Sequence, residues 1–261
     1  MLVFSAITTH SPLLIPNVGK ENLNSLKKTV EAFKYLKEEF VKANPDTVIV
    51  ITPHGDVYHD AFAINISQDY LARFEEFGDF ETEMLYKPDL EFINEFKGKN
   101  ETKLPLQLFS ARKLDHGASI PLYYLLGRNT QRKIVPICTS LLGPEKHLEF
   151  GKALKDTIFN QGKRVAVIVS ADLSHRLTKA SPEGFSPRAK EFDKQVIQLL
   201  KKKNSDGLVR LDSVLIEEAK ECGFYGILML LGIIEGMNYD FEVLSYEAPF
   251  GIGYLVGEFK I

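Results

Sequence analysis

Two cysteines, Cys138 and Cys222, stand far apart in the 261 residues. That is no disulfide framework, and it fits a reducing compartment. Long apolar runs are missing as well. The longest, ILMLLGII at 227–234, falls far short of the ~20 residues a membrane-spanning helix needs. The opening MLVFSAITTHSPLLIP has no basic region before its apolar residues and no small-residue cleavage site, so it does not read as a signal peptide. A basic excess is lacking: Lys+Arg total 32 against Asp+Glu 35, a net charge of −3. With no global positive field, nucleic acid is not an expected partner. The run Lys201-Lys202-Lys203 reads as a solvated helix end. With 18 glycines and 12 prolines the chain is too poor in both to be fibrous or low-complexity. G-x-S-x-G, P-loop and G-x-G-x-x-G sequences are absent, which removes the usual hydrolase-elbow and nucleotide-binding readings. A cytoplasmic protein without a membrane partner is expected.

What remains is an average soluble composition, 44% apolar and 26% charged, long enough to bury a core without staples. Apolar β-rich runs alternate with amphipathic ones. Residues 2–8, 47–52 (TVIVIT), 61–67, 133–139 (KIVPICT) and 164–170 (RVAVIVS) read as strands. Pro136 suggests that its strand is an edge or carries a bulge. Residues 22–42, 88–96, 118–126, 145–160, 187–203, 211–219 and 224–235 read as helices. In the first of these, Leu26, Val30, Phe33, Leu36 and Phe40 recur at three- or four-residue spacing. Residues 241–246 and 253–259 read as a final strand pair joined through Ala248-Pro249-Phe250-Gly251. The alternation predicts one α/β domain over 1–261, a three-layer sandwich. Its central sheet would be mostly parallel and flanked by helices, with an antiparallel C-terminal edge.

Three of the six histidines share a position type. His10, His54 and His175 each follow a predicted strand within about five residues, and the crevice at strand carboxyl ends is where open α/β sheets bind ligands. Histidine there ligates metals or carries protons. His ligands plus one carboxylate suit non-heme Fe(II), and zinc uses the same donors. His147 reads as solvated on a surface helix. His59, on the loop of His54, is a candidate substrate contact. Cys138 reads as a buried core thiol. Cys222 lies between Glu221 and Gly223, just before an apolar helix. Ser174 beside His175 is discounted as a nucleophile, because chain neighbours rarely orient as nucleophile and base.

Four segments make the sequence recognisable: Thr-Thr-His-Ser-Pro at 8–12, Thr-Pro-His-Gly-Asp at 52–56, Leu-Asp-His-Gly at 114–117 with Ile-Pro-Leu at 120–122, and Ser-Ala-Asp-Leu-Ser-His at 170–175. Together with the ending SYEAPFGIGY at 245–254, they resemble the class III extradiol ring-cleavage dioxygenase superfamily, the LigB-like fold. More narrowly the chain resembles the branch found in AmmeMemoRadiSam systems, related to Memo. The resemblance covers essentially the whole chain and implies a subunit-B-like catalytic domain acting on a catechol-type aromatic molecule and O2. It implies His10 and His54 as metal ligands, His175 as the acid–base catalyst, and His116 as the histidine that binds or protonates substrate. The third ligand of the oxygenases, a glutamate at the start of a late helix, falls near Glu-Cys-Gly at 221–223. Glu221 there implies Fe(II). Cys222, matching the Cys-Gly of Memo proteins, implies zinc or copper and a non-oxygenase role in metal binding or protein interaction. Glu247 is a lower-ranked carboxylate. Arg112, Arg176 and Arg188 are candidate anchors for a substrate carboxylate, and Tyr123, Tyr225 and Phe250 candidate stacking partners for its ring. A homo-oligomer is compatible with the fold.

Overall fold

The computed structural model describes residues 1–128 and 130–261. Its strands are β1 (Leu2–Thr8), β2 (Thr47–Thr52), β3 (Phe62–Asn65), β4 (Tyr70–Phe74), β5 (Asp79–Pro88), β6 (Leu106–Phe109), β7 (Lys133–Cys138), β8 (Val165–Ser170), β9 (Asp240–Glu247) and β10 (Tyr254–Lys260). Its helices are α1 (Pro16–Gly19), α2 (Lys27–Ala43), α3 (Leu90–Asn100), α4 (His116–Leu125), α5 (Pro144–Asn160), α6 (Ala189–Lys201), α7 (Ser205–Val209), α8 (Ser213–Ala219) and α9 (Phe224–Ile233). The sheet order is β4-β5-β7-β2-β8-β1-β10-β9, with β3 and β6 attached beside β7. Strands β7, β2, β8 and β1 form a parallel centre. The hairpin β9–β10 closes the C-terminal edge antiparallel against β1.

The centre is parallel because its strands are buried on both faces. Every residue of β2 and β8 is buried, the pattern that doubly covered sheets require. Alternation then divides each strand. Ile49 and Ile51 pack with Phe150 of α5 and Ile227 of α9 on one face. Val48 and Val50 pack with Phe33 of α2 and Ile120 of α4 on the other. On the first face α5 and α9 cross closely at Gly151 and Gly232. A Cβ at 151 would lie 2.0 Å from the Met229 carbonyl oxygen.

The helix expected from residue 22 is α-helical only from Lys27, because residues 20–26 form a tighter 3₁₀ segment. Strands β4, β5 and β6 and helix α7 have no counterpart in the sequence reading. In β5 burial alternates from Thr82 to Lys87, and the exposed residues mix charged Glu81, Glu83 and Lys87 with apolar Phe80 and Leu85. Pro136 does not mark an edge. Strand β7 lies between β2 and a divided neighbour: its start pairs with β5 (Pro88 opposite Ile134) and its end with β3 (Ile64 opposite Ile137). The Asp89 amide donates to Ile134 O and the Thr139 amide to Thr52 O, so even-numbered residues of β7 turn away from β2. Proline's missing N–H therefore falls at the seam between β5 and β3, where no ladder bond is lost.

Candidate metal centre

Strands β2, β8 and β1 are neighbours in the sheet, so their carboxyl ends deliver His54, Asp172 with His175, and His10 to one place. The Ser170 hydroxyl lies 2.8 Å from His10 Nδ1, which leaves Nε2 directed at the cluster. His10 Nε2 is 2.9 Å from His54 Nε2 and 3.4 Å from Cys222 Sγ. One donor atom from each of His10, His54 and Cys222 lies within 4.8 Å of the others, close enough to hold one metal ion. Burial, followed by the charges of His116 and His175, drives His10 well below the ordinary histidine range. Burial, followed by His10, brings His54 down to about 3. Both rings are thus neutral at pH 7, the form that ligates metal. Burial, followed by Asp172, pushes the Cys222 thiol up. A bound cation would reverse that, because the thiolate is the coordinating form. The donor set fits a transition-metal ion.

Glu221 does not join this cluster. Its carboxylate turns back to accept the Phe224 amide at the start of α9, and burial raises it to about 7. Glu247 accepts the amide and hydroxyl of Thr29 in α2, at 2.9 and 2.7 Å. The carboxylate that does reach the cluster is Asp172, which the sequence reading missed. It is buried, accepts the Thr9 hydroxyl and the His10 amide, and its Oδ2 lies 3.6 Å from His10 Nε2. Its signal was an acid in the same strand-end segment as His175.

The two remaining site histidines flank the donors. His116, opening α4, stacks on His54 with ring centroids 4.4 Å apart, and the Phe77 ring meets it edge-on at 5.4 Å. His175 Nε2 lies 3.7 Å from Cys222 Sγ. Burial lowers His175, and Asp172 and Glu183 oppose the shift. His59 is exposed on its loop. His147, expected in solvent, is fully buried. Its ring stacks on Tyr225 at 4.3 Å, its Nε2 accepts the Ser140 amide at 3.2 Å, and its Nδ1 pairs with Gly143 O at 3.0 Å. Burial brings it down to about 4. The α5 helix that carries it packs against α9, so its inner face is core.

A cavity of about 310 Å³ opens beside His54 and His116, walled by Asp56, Asn65, Phe109, Lys113, Pro136 and Cys138. Lys113 is already tied to Glu76 at 3.0 Å and Glu75 at 3.5 Å. Of the candidate anchors, Arg112 pairs with Asp69, Arg188 with Asp212, and Arg176 bonds the Glu218 and Phe185 carbonyls. A larger cavity of about 560 Å³, bordered by Asn44, Asp89, Arg132 and Lys163, lies at the opposite, amino-terminal ends of β2 and β7, far from the histidines.

This chain belongs to the family described as the catalytic LigB subunit of aromatic ring-opening dioxygenase, which matches residues 5–257. It is 29% identical over 255 residues to a Clostridium acetobutylicum protein, covering 94% of this chain and 54% of that one. A MEMO1 family protein of Methanosarcina mazei is 32% identical over 46% of this chain and 42% of its own length. A 2,3-dihydroxyphenylpropionate/2,3-dihydroxicinnamic acid 1,2-dioxygenase of Mycolicibacterium vanbaalenii is 27% identical over 64% of this chain and 54% of its own. The chain thus spans about half the length of the curated relatives it matches. A crystal structure of an uncharacterised Escherichia coli K12 protein shares the fold, with a TM-score of 0.69, 14% identity and coverage of 98% of this chain and 99% of that one. No helix among the described residues is long and apolar enough to cross a membrane.

Proposed function

We propose that His10, His54 and Cys222 hold one transition-metal ion, and that the chain works as a Memo-like metal-binding protein of its family. The observation that carries this reading is the convergence of Cys222 Sγ, not the Glu221 carboxylate, on the two histidines. Two imidazoles and a thiolate favour zinc or copper(I) over the two-His, one-carboxylate set of iron oxygenases. When bound, the ion would supply Lewis acidity and orientation to a small molecule. The chain's own residues supply the rest. Asp172 and Ser170 hold His10, Phe77 and His54 confine the His116 ring, and His175 offers a proton-transfer group beside Cys222.

A second reading is Fe(II)-dependent extradiol cleavage of a catechol-type molecule with O2. It is favoured by two histidines kept beside the donors and a cavity next to them. In that reading His175 removes a phenolic proton and His116 orients or protonates the substrate. With Lys113 occupied by Glu75 and Glu76, the cavity would favour a neutral catechol over a carboxylated one.

Elemental analysis separates the two. Protein is purified without oxygen or chelator from cells supplied with iron, zinc and copper, alongside His54→Ala, Glu221→Ala and Cys222→Ala. Zinc or copper near one per chain, lost in His54→Ala and Cys222→Ala but kept in Glu221→Ala, supports the first reading. Iron lost in Glu221→Ala and kept in Cys222→Ala would overturn it in favour of ring cleavage.

A further inference from the structure

We propose that Thr52 and Asp115 are a positioning pair that couples His54 to His116, so that the metal-side ring and the ligand-side ring move as one unit. The proposal builds on the reading of His54 as a metal ligand. The His54 amide donates to Thr52 Oγ1 at 3.2 Å. The Thr52 hydroxyl donates in turn to Asp115 Oδ1 at 2.6 Å. The same carboxylate oxygen accepts the Ala118 amide at 3.0 Å, capping the helix that begins with His116. One oxygen therefore collects both the end of β2 and the start of α4, two segments more than sixty residues apart in the chain.

Gly117 makes the approach sterically allowed. A Cβ there would lie 2.5 Å from Thr52 Oγ1, 2.9 Å from Asp115 Oδ1 and 3.3 Å from His54 Cδ2. Without it the pair closes, and the two rings stack at 4.4 Å with planes 25° apart. Thr52 is fully buried, so water cannot substitute for its hydroxyl. Neither Thr52 nor Asp115 points a ring or thiol at the donor cluster. They act on the backbone that carries the two histidines. That is one step further from the donor atoms than the ring N–H acceptors whose loss costs about 10–100-fold in metal affinity, so the low end of that range is expected.

The test uses the full chain with Thr52→Val, which keeps the β-branched shape and removes the hydroxyl, and Thr52→Ser, which restores it. The first readout is the ring resonances of His54 and His116 in metal-free protein, assigned with His54→Gln and His116→Gln. Stacked rings shift each other, so Thr52→Val moves both signals together and Thr52→Ser leaves both in place. The second readout is Co(II) titration followed by the thiolate-to-cobalt absorption band, with affinity about tenfold weaker in Thr52→Val and recovered in Thr52→Ser. If Thr52→Val does not fold, Gly117→Ala is read in the same way, because its methyl group pushes the pair apart. A variant that moves one ring and not the other, or neither, overturns the coupling. Rings that move together in a parent protein that binds no cobalt would uphold the coupling and bring down the metal reading alone.

Discussion

Replacing Gly151 with alanine reverses a standard expectation. Alanine is better than glycine inside a helix by about 1 kcal/mol, and Gly151 lies inside α5. Yet its Cβ would fall 2.0 Å from Met229 O and 2.9 Å from Gly232 Cα in α9. Restoring an ordinary heavy-atom contact of ~3.5 Å requires the two helices to part by roughly 1.5 Å. A gap of ~1 Å forfeits up to about half of each dispersion contact along the seam, and overpacked cores typically lose about 1–3 kcal/mol. Here no flexible side chain can yield, because the obstacles are backbone atoms, so the cost sits at or above the top of that range. Subtracting the helix-propensity gain leaves a net loss of about 2 kcal/mol, or ~4–8 °C in Tm for a chain of this size. Gly98→Ala in α3 is the control. Nothing lies within 4 Å of its Cβ position, so it gains ~0.5–1 kcal/mol. Urea denaturation of both variants with the parent decides the matter. A Gly151→Ala protein as stable as the parent, or more so, would refute the close crossing of α5 and α9.

Further outcomes follow from the site. Cys222→Ser weakens zinc binding by at least tenfold in a competitive chelator titration, while Glu221→Gln leaves it within about twofold. His175→Gln keeps stoichiometric metal but abolishes turnover of any substrate later established, as kinetics on the metal-loaded protein would reveal. His147 is held at about 4 by burial, below its unfolded value of ~6.5. The unfolded chain therefore binds the extra proton first, and stability falls as pH drops from ~6.5 towards 4. Urea midpoints of His147→Phe should decline less steeply than the parent's, the remainder coming from the other buried histidines, His10 and His54. They should also start lower at pH 7.5, because the Ser140 amide loses its acceptor. A variant whose midpoint falls across that window as steeply as the parent's would contradict the buried assignment of His147.

The parts of the fold legible in the sequence were those where every residue faces core. TVIVIT and RVAVIVS announce themselves because both faces of the central strands are covered. Strand β5 escaped because its alternation is blurred: apolar Phe80 and Leu85 are exposed among Glu81, Glu83 and Lys87, and polar Asp79 and Thr82 are buried with Met84 and Tyr86. Strand β6 is four residues long, too short for any period. The strand-end rule brought His10, His54 and His175 to one place, because topology alone sets where carboxyl ends meet. It could not choose between Glu221 and Cys222. They are adjacent, and the decision lies in which side chain caps α9 and which faces the histidines. His147 misled because its helix has two faces and a histidine is equally at home on either. Its burial depends on the partner Tyr225, which sequence spacing does not reveal.

The divided neighbour of β7 has a consequence for how the cavity beside the histidines can be reshaped. Where β5 leaves and β3 begins, the sheet forks, and the cavity beside His54 and His116 occupies the fork, with Asn65, Phe109 and Pro136 in its walls. The outer wall of the chamber is thus built from the branch, whereas His10 and His54 follow β1 and β2 in the trunk and Cys222 precedes α9. Substitutions at Phe109 can recarve the chamber without disturbing the parallel ladder of β1, β8 and β2 from whose ends His10 and His54 extend. Reshaping the outer wall therefore leaves the strands that carry His10 and His54 in place, whereas any change felt at His116 passes to His54 through their stacked rings and the Asp115 carboxylate.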